Sequence, residues 1–258
     1  MEAKRFHRLL GCVSALYFIG SATVAQAQDA QLPFVPVLTI GTTALINDDV
    51  IANADGSFTV LGNQQGGLVN GQPIWDLTWD LTLNQDPSIS GSLILTNLTT
   101  TTRNFNMAFS LPVTPALSAS VFGGTITATV EDANGNLTAS MAPIAISPSI
   151  YRGTIDGATV LSLLAANITC TASLPGCSST STDAFGLPGP TLPGPAVNSA
   201  IGIFLNFSLS AGDRVTFNTS FVVDQPQASP VPLPAALPLL LSGLGALTIR
   251  RRRLTPVR

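Results

Sequence analysis

The chain has 258 residues and a net charge of −3, but its charges are segregated: of eleven Lys and Arg, three fall in the first eight residues and five in the last nine. Between Gln28 and Pro230 only Arg103, Arg152 and Arg214 stand against thirteen acids, a body charge of about −10 with neither lysine nor histidine. That balance excludes a nucleic-acid partner, which needs clustered cations, and removes the imidazole on which triads, most zinc sites and proton shuttles depend.

The chain begins with Lys4, Arg5 and Arg8, continues with an apolar run from Leu9 to Val24, and leaves it through Ala25-Gln26-Ala27. A basic start, an apolar middle and a small-x-small exit are the parts of a secretory signal peptide. Residues 1–27 are therefore expected to be a signal-peptide helix, delivered to a secretion translocon and cut by signal peptidase between Ala27 and Gln28. Cys12 leaves with it.

The body, residues 28–224, is a one-domain length, and its main signal is alternation. In Ile74 to Leu83, the side chains of Trp75, Leu77, Trp79, Leu81 and Leu83 share one face, and those of Asp76, Thr78, Asp80 and Thr82 share the other, the period of a half-buried strand. The same period predicts strands through Phe105 to Leu111, Ile126 to Val130, Ile201 to Leu209 and Val215 to Val223. Further strands are expected at Val37 to Ile46, Ser57 to Leu61 and Ile89 to Asn97. Ala158 to Thr169 reads as a strand, or as a short helix over Ala158 to Ala166. Asp55-Gly56 marks a turn, Leu98 to Asn104 a hairpin connection, and Ser210-Ala211-Gly212-Asp213 the turn of a C-terminal strand pair. Roughly eight to ten strands separated by Gly, Pro, Asn and Asp predict an all-β antiparallel sandwich.

Trp75 and Trp79 on one face suggest a platform for sugar rings, but five apolar residues on that face predict core instead. Asp76 and Asp80 lie about 13 Å apart along a strand, too far for a glycosidase pair. No catalytic residue is assigned. Outward rows of Thr, Ser and Asn lack the fixed-period repeat that a flat binding array requires. Glu131-Asp132-Ala133-Asn134-Gly135-Asn136 puts the oxygens of Asp132, Asn134 and Asn136 on one tight loop, a weak Ca²⁺ candidate. Asn134-Gly135 between strand-like segments favours a type I′ hairpin. No cofactor is expected.

Cys170 and Cys177 are the two cysteines left after signal cleavage. In an exported protein they predict a disulfide closing a small loop turned by Pro175-Gly176. Phe185 to Pro195 reads as a mobile Pro/Gly loop. The Asn-x-Ser/Thr sequons at Asn97, Asn136, Asn167, Asn206 and Asn218 follow from Thr/Asn richness. Residues 225–230, Gln-Pro-Gln-Ala-Ser-Pro, form a linker.

The last segment, residues 231–258, opens with Val231, Pro232, Leu233, Pro234 and Ala235. An apolar run over about 235–249 follows, and then Arg250, Arg251, Arg252 and Arg253. At 1.5 Å per residue that run is shorter than the ~30 Å hydrocarbon core. The arginine block is nevertheless a cytoplasmic stop that would leave the acidic body outside, so a membrane-inserted tail helix is expected. This order of Pro box, short Leu/Gly-rich stretch and Arg cluster resembles the PEP-CTERM protein-sorting signal, in a Val-Pro-Leu-Pro-Ala variant with Leu233 where the commoner form has Glu. The resemblance implies a Gram-negative bacterium, an exosortase that removes the tail at the inner membrane, and delivery to the cell surface or an exopolysaccharide matrix. Parts of the body, such as Asp86 to Ser92 and Asn104 to Pro112, are similar to β-rich regions that carry such tails. The expectation is a non-catalytic surface or matrix protein. The competing reading is an adhesin or glycan-binding module with extracellular polysaccharide as partner.

Overall fold

Alternation over the body resolves into sixteen strands in a computed structural model that describes residues 36–173 and 176–226. The predicted helices over 1–27 and 235–249, the cleavage residues Ala25, Ala27 and Gln28, the motif Val231 to Ala235 and the block Arg250 to Arg253 all lie outside the described residues.

In chain order the strands are β1 Val37–Ile40, β2 Thr43–Ala44, β3 Asp49–Ala52, β4 Phe58–Gly66, β5 Trp75–Asn84 and β6 Ser88–Asn97. They continue with β7 Arg103–Pro112, β8 Ser120–Glu131, β9 Thr138–Pro143, β10 Tyr151–Ile155 and β11 Ala158–Leu163. The last five are β12 Ile168–Thr171, β13 Ser178–Phe185, β14 Leu192–Gly194, β15 Ala200–Leu209 and β16 Arg214–Asp224. Among the described residues there is no helix, so Ala158 to Ala166 is strand and loop.

The strands form two eight-stranded antiparallel sheets. Sheet I has the order β11-β10-β15-β7-β1-β2, with β9 pairing β15 and β12 pairing β9. Sheet II runs β13-β8-β16-β6-β5-β4-β3, with β14 continuing along β8. The inner faces of both sheets contribute to one hydrophobic core, giving a β-sandwich-like fold. Phe207 of sheet I meets Phe217 of sheet II edge-on at 5.0 Å between ring centroids. Tyr151 of sheet I spans the core to donate to the carbonyl of Ser220 in sheet II at 2.8 Å. A Cβ at Gly124 would stand 2.8 Å from the Tyr151 hydroxyl, so glycine there makes the room for it.

The count exceeds the expected eight to ten because several strands carry no hydrophobic period. In β13 no residue is buried and the sequence is Ser-Ser-Thr-Ser-Thr-Asp-Ala-Phe. Strand β10 is buried along nearly its whole length, and β2, β3 and β14 have only 2, 4 and 3 residues. The segment read as a Pro/Gly loop is only partly one: Phe185 ends β13, and Leu192–Gly194 rejoins the sheet opposite Phe122, Val121 and Ser120.

Connections separate the molecule into two poles. Val37 lies opposite Ser110 near the end of β7, and Asp224 opposite Val121 near the start of β8. A short segment joins the end of β7 to the start of β8, so both ends of the described body share one pole, termed terminal. The opposite, distal pole carries the segments that follow β6, β8, β12 and β15. Each of these four segments passes from one sheet to the other.

Candidate functional site

The distal pole departs from the expected structure and holds most of the buried polar side chains singled out in the sequence. Leu98 to Asn104, Asp132 to Leu137 and Ser210 to Asp213 all read as hairpin turns. None of them is one, because β6, β8 and β16 belong to sheet II while β7, β9 and β15 belong to sheet I. A hairpin continues its ladder up to the turn, but a segment that switches sheets leaves main-chain N–H and C=O groups without strand partners. Two buried side chains, Asn97 and Asp132, supply those partners, and a third, Asp213, holds a side chain of the β15–β16 crossover.

Asn97, fully buried at the end of β6, directs its amide nitrogen at the carbonyls of Thr101, Leu209 and Ser210, at 2.9, 3.1 and 2.9 Å. Its amide oxygen accepts from the Thr99 N–H and hydroxyl. Asp132, at the end of β8, accepts from the N–H groups of Gly135 and Asn136 on Oδ1 and from Leu137 and Gly176 on Oδ2. Leu137 adopts φ 76° and Gly135 φ 75°, backbone that Asp132 holds in place. Asp213, without solvent-exposed surface, accepts from the Ser210 hydroxyl. Burial pushes the Asp213 carboxyl up from its ordinary range; the Ser210 bond opposes this and the nearby Asp132 charge adds to it.

This arrangement revises the calcium candidate. Four backbone donors occupy the Asp132 oxygens that a cation would need. The side-chain oxygen of Asn134 accepts from the Asn136 N–H, and that of Asn136 from the N–H and hydroxyl of Thr138. Asn134 also donates to the Ala211 carbonyl, tying the loop to the β15–β16 turn. The oxygens face amide hydrogens, the environment of an anion rather than of Ca²⁺.

Cys170 and Cys177 are disulfide-bonded, with Cα atoms 5.9 Å apart. Cys170 lies in β12 of sheet I and Cys177 directly precedes β13 of sheet II, so the bridge joins the sheets at the distal pole. The Cys177 carbonyl accepts from the Asp132 N–H, coupling bridge and β8–β9 crossover.

The remaining candidates divide between core and surface. Trp75 and Trp79 are 3% and 1% exposed, so they form core and offer no platform to a ligand. Each covers a glycine of β4: Trp79 lies opposite Gly62 and Trp75 opposite Gly66. The Trp79 indole N–H donates to Asn47 at 3.2 Å. Asp76 and Asp80 stand on the outer face of sheet II, where Asp76 accepts from Asn63 and Gln65. Of the sequons, Asn97 and Asn206 are buried, whereas Asn136, Asn167 and Asn218 are exposed.

Two features had no single-segment signal. The first is a hydroxyl-rich outer face on sheet II, where register places Asp80, Ser92, Asn218, Thr127 and Thr182 in one transverse row. Its threonines bond one another, Thr127 to Thr182 at 2.9 Å and Thr129 to Thr180 at 2.8 Å. The row arises from strands distant in sequence, so no repeat announces it. The second is Asp156, at φ 49° in the β10–β11 turn, which accepts from the N–H groups of Asn198, Ser199 and Ala200 and from both side chains of Asn198 and Ser199. Desolvation opposes ionisation of Asp156, but these donors outweigh it and hold the carboxyl well below the usual carboxylate range.

No family model matches the chain. No curated protein matches it either.

Proposed function

We propose that this is an exported, non-catalytic protein of the cell surface or exopolysaccharide matrix, processed by signal peptidase at its front and by an exosortase at its tail. The observation that carries the proposal is the order of Val231 to Ala235, the apolar run to Ile249 and Arg250 to Arg253. The body's composition is consistent with it: thirteen acids against three arginines suit a domain held on the side of the membrane opposite the arginine block. So is the placement of Asp224 to Pro226 at the terminal pole, from which a tail can leave without crossing the sheets. The Trp row is core, so a glycan-binding reading cannot rest on it.

Terminal-peptide mass spectrometry on the protein from its producer's surface fraction tests the proposal. The expected form begins at Gln28 and ends between Val231 and Ala235. A surface form that still carries Arg250 to Arg253 would refute exosortase processing and leave a permanent membrane anchor.

A further inference from the structure

Sheet I ends at β11 and sheet II at β13, with β14 continuing that edge, and an apolar groove lies between the two edges. It encloses about 470 Å³, within the range of ligand sites. Val160, Leu161 and Leu163 line it from sheet I, and Phe185, Leu192 and Pro193 from sheet II. Phe185 is 56% exposed, and Val160 and Leu192 are only partly buried against the core. Contiguous apolar surface of this kind marks an interaction site. The carboxylate in the lining, Asp183, accepts from the Leu164 N–H at 2.8 Å and so is held by the protein's own backbone. Among the described residues no cation lines the groove. An anionic ligand therefore finds no partner there, whereas an uncharged apolar segment does.

The place where the described chain ends selects the occupant. Strand β16 finishes at Asp224, and Pro226 lies in an adjoining recess with Val121, Gly189, Pro190 and Thr191, the last of which leads directly into Leu192 of β14. Strand β8 separates β16 from β14, a distance of two strand spacings or about 10 Å. The five steps from Pro226 to Val231 can cover about 15 Å at the 3.1 Å rise of an extended Pro-rich chain. Val231, Pro232, Leu233, Pro234 and Ala235 carry no charge, and the two prolines bring no N–H that needs an acceptor. Such segments suit aromatic-lined apolar grooves, because they lose little conformational entropy on binding. The front of the chain falls short: Leu32 is five residues from Val37 of β1, a reach of about 17 Å, and β1 stands four spacings, about 19 Å, from β11.

We propose that the groove between β11 and the β13–β14 edge docks the chain's own Val231 to Ala235. The body then covers the five residues of the sorting box, so docking and cleavage compete for one segment. That competition rests on the exosortase reading above; the docking does not, and its test involves no processing enzyme, so either can fail without the other.

Photo-crosslinking of the full chain in dodecyl maltoside micelles, with benzoylphenylalanine in place of Leu233, tests the proposal. Peptide mapping of the monomeric product is expected to place the crosslinks on residues 160–163 and 185–193. Phe185→Ser should weaken docking by at least about tenfold, the loss expected for one buried aromatic contact, and lower the crosslink yield accordingly. Because Phe185 also ends an edge strand, Val231→Asp provides a second variant. It lies outside the body, leaves the body's packing untouched and brings a charge to a groove without a cation, so it should lower the yield as well. Three results each overturn the proposal: crosslinks elsewhere on the body or none at all, crosslinks between two chains, or an undiminished yield in Val231→Asp or in a folded Phe185→Ser.

Discussion

Glycine at position 62 is a packing requirement of the core, and Gly62→Ala tests it. A Cβ there would lie 2.0 Å from Cζ2, 2.4 Å from Cε2 and 2.7 Å from Cη2 of Trp79. Carbon atoms pack at about 3.5–4.0 Å, so the indole must shift by roughly 1.5 Å or more. Trp79 has almost no exposed surface and stands between Leu77 and Leu81 on the inner face of β5, so it has no free space to enter. Moving it also disturbs the bond to Asn47. Overpacking costs about 1–3 kcal/mol and a lost hydrogen bond about 1 kcal/mol, a combined loss of about 2–4 kcal/mol. For a domain of this size that lowers the melting temperature by about 5–15 °C. Thermal unfolding followed by tryptophan fluorescence reads both the loss and a red-shifted native emission. The control is Gly189→Ala, where an added Cβ meets nothing within 4 Å. An unchanged melting temperature and emission for Gly62→Ala would refute the claim that Trp79 needs a bare backbone beneath it.

Other consequences follow from the distal pole and the Asp156 turn. Replacing Cys170 and Cys177 by serine opens a small loop and unlinks the sheets, with an expected loss of about 2–3 kcal/mol in chemical denaturation against the oxidised parent. Asn97→Asp points a carboxylate at three carbonyl oxygens in a buried site, so a loss above about 3 kcal/mol is expected; a urea midpoint within error of the parent would show that the amide is dispensable. The Asp156 carboxyl is depressed in the folded state, so its contribution is present above an unfolded value of about 3.9 and is lost as pH falls through the folded one. Asp156→Asn should therefore lower the urea midpoint at pH 7, and the gap to the parent should narrow below about pH 4. Asp213 acts in the opposite sense: its raised carboxyl adds stability in acid that is lost as pH rises through the carboxylate range. Asp213→Asn should remove that component from the stability–pH profile measured by urea denaturation.

Legibility along the chain tracked the strength of the local hydrophobic period. The strand expected over Ile74 to Leu83 appears as Trp75–Asn84 with the expected face buried, because each inward residue there is large and apolar. Asp55-Gly56 is a turn between paired strands, and the Asp55 carboxylate accepts from the Ser57 N–H and hydroxyl. Strand β13 was invisible because an edge strand of hydroxyl side chains carries no apolar alternation. Asn134-Gly135 reads as a hairpin because turn chemistry is the same whether the following strand pairs back or leaves for the other sheet. At the candidate sites, the disulfide partners were legible once Cys12 was set aside with the expected signal peptide, whereas the outer-face row from Asp80 to Thr182 joins residues of β5, β6, β16, β8 and β13 that no single segment brings together.

Composition and periodicity by themselves determined an acidic, histidine-free body of antiparallel strands, since residue type and side-chain alternation are properties of the local chain. Tertiary structure alone decided which strands are neighbours. That choice turned three apparent hairpins into sheet-switching crossovers and assigned Asn97 and Asp132 to the main-chain groups those crossovers expose. The physical reason is that a strand's faces follow from a two-residue period, but its partner follows from competition among all strands for hydrogen bonds and a shared core.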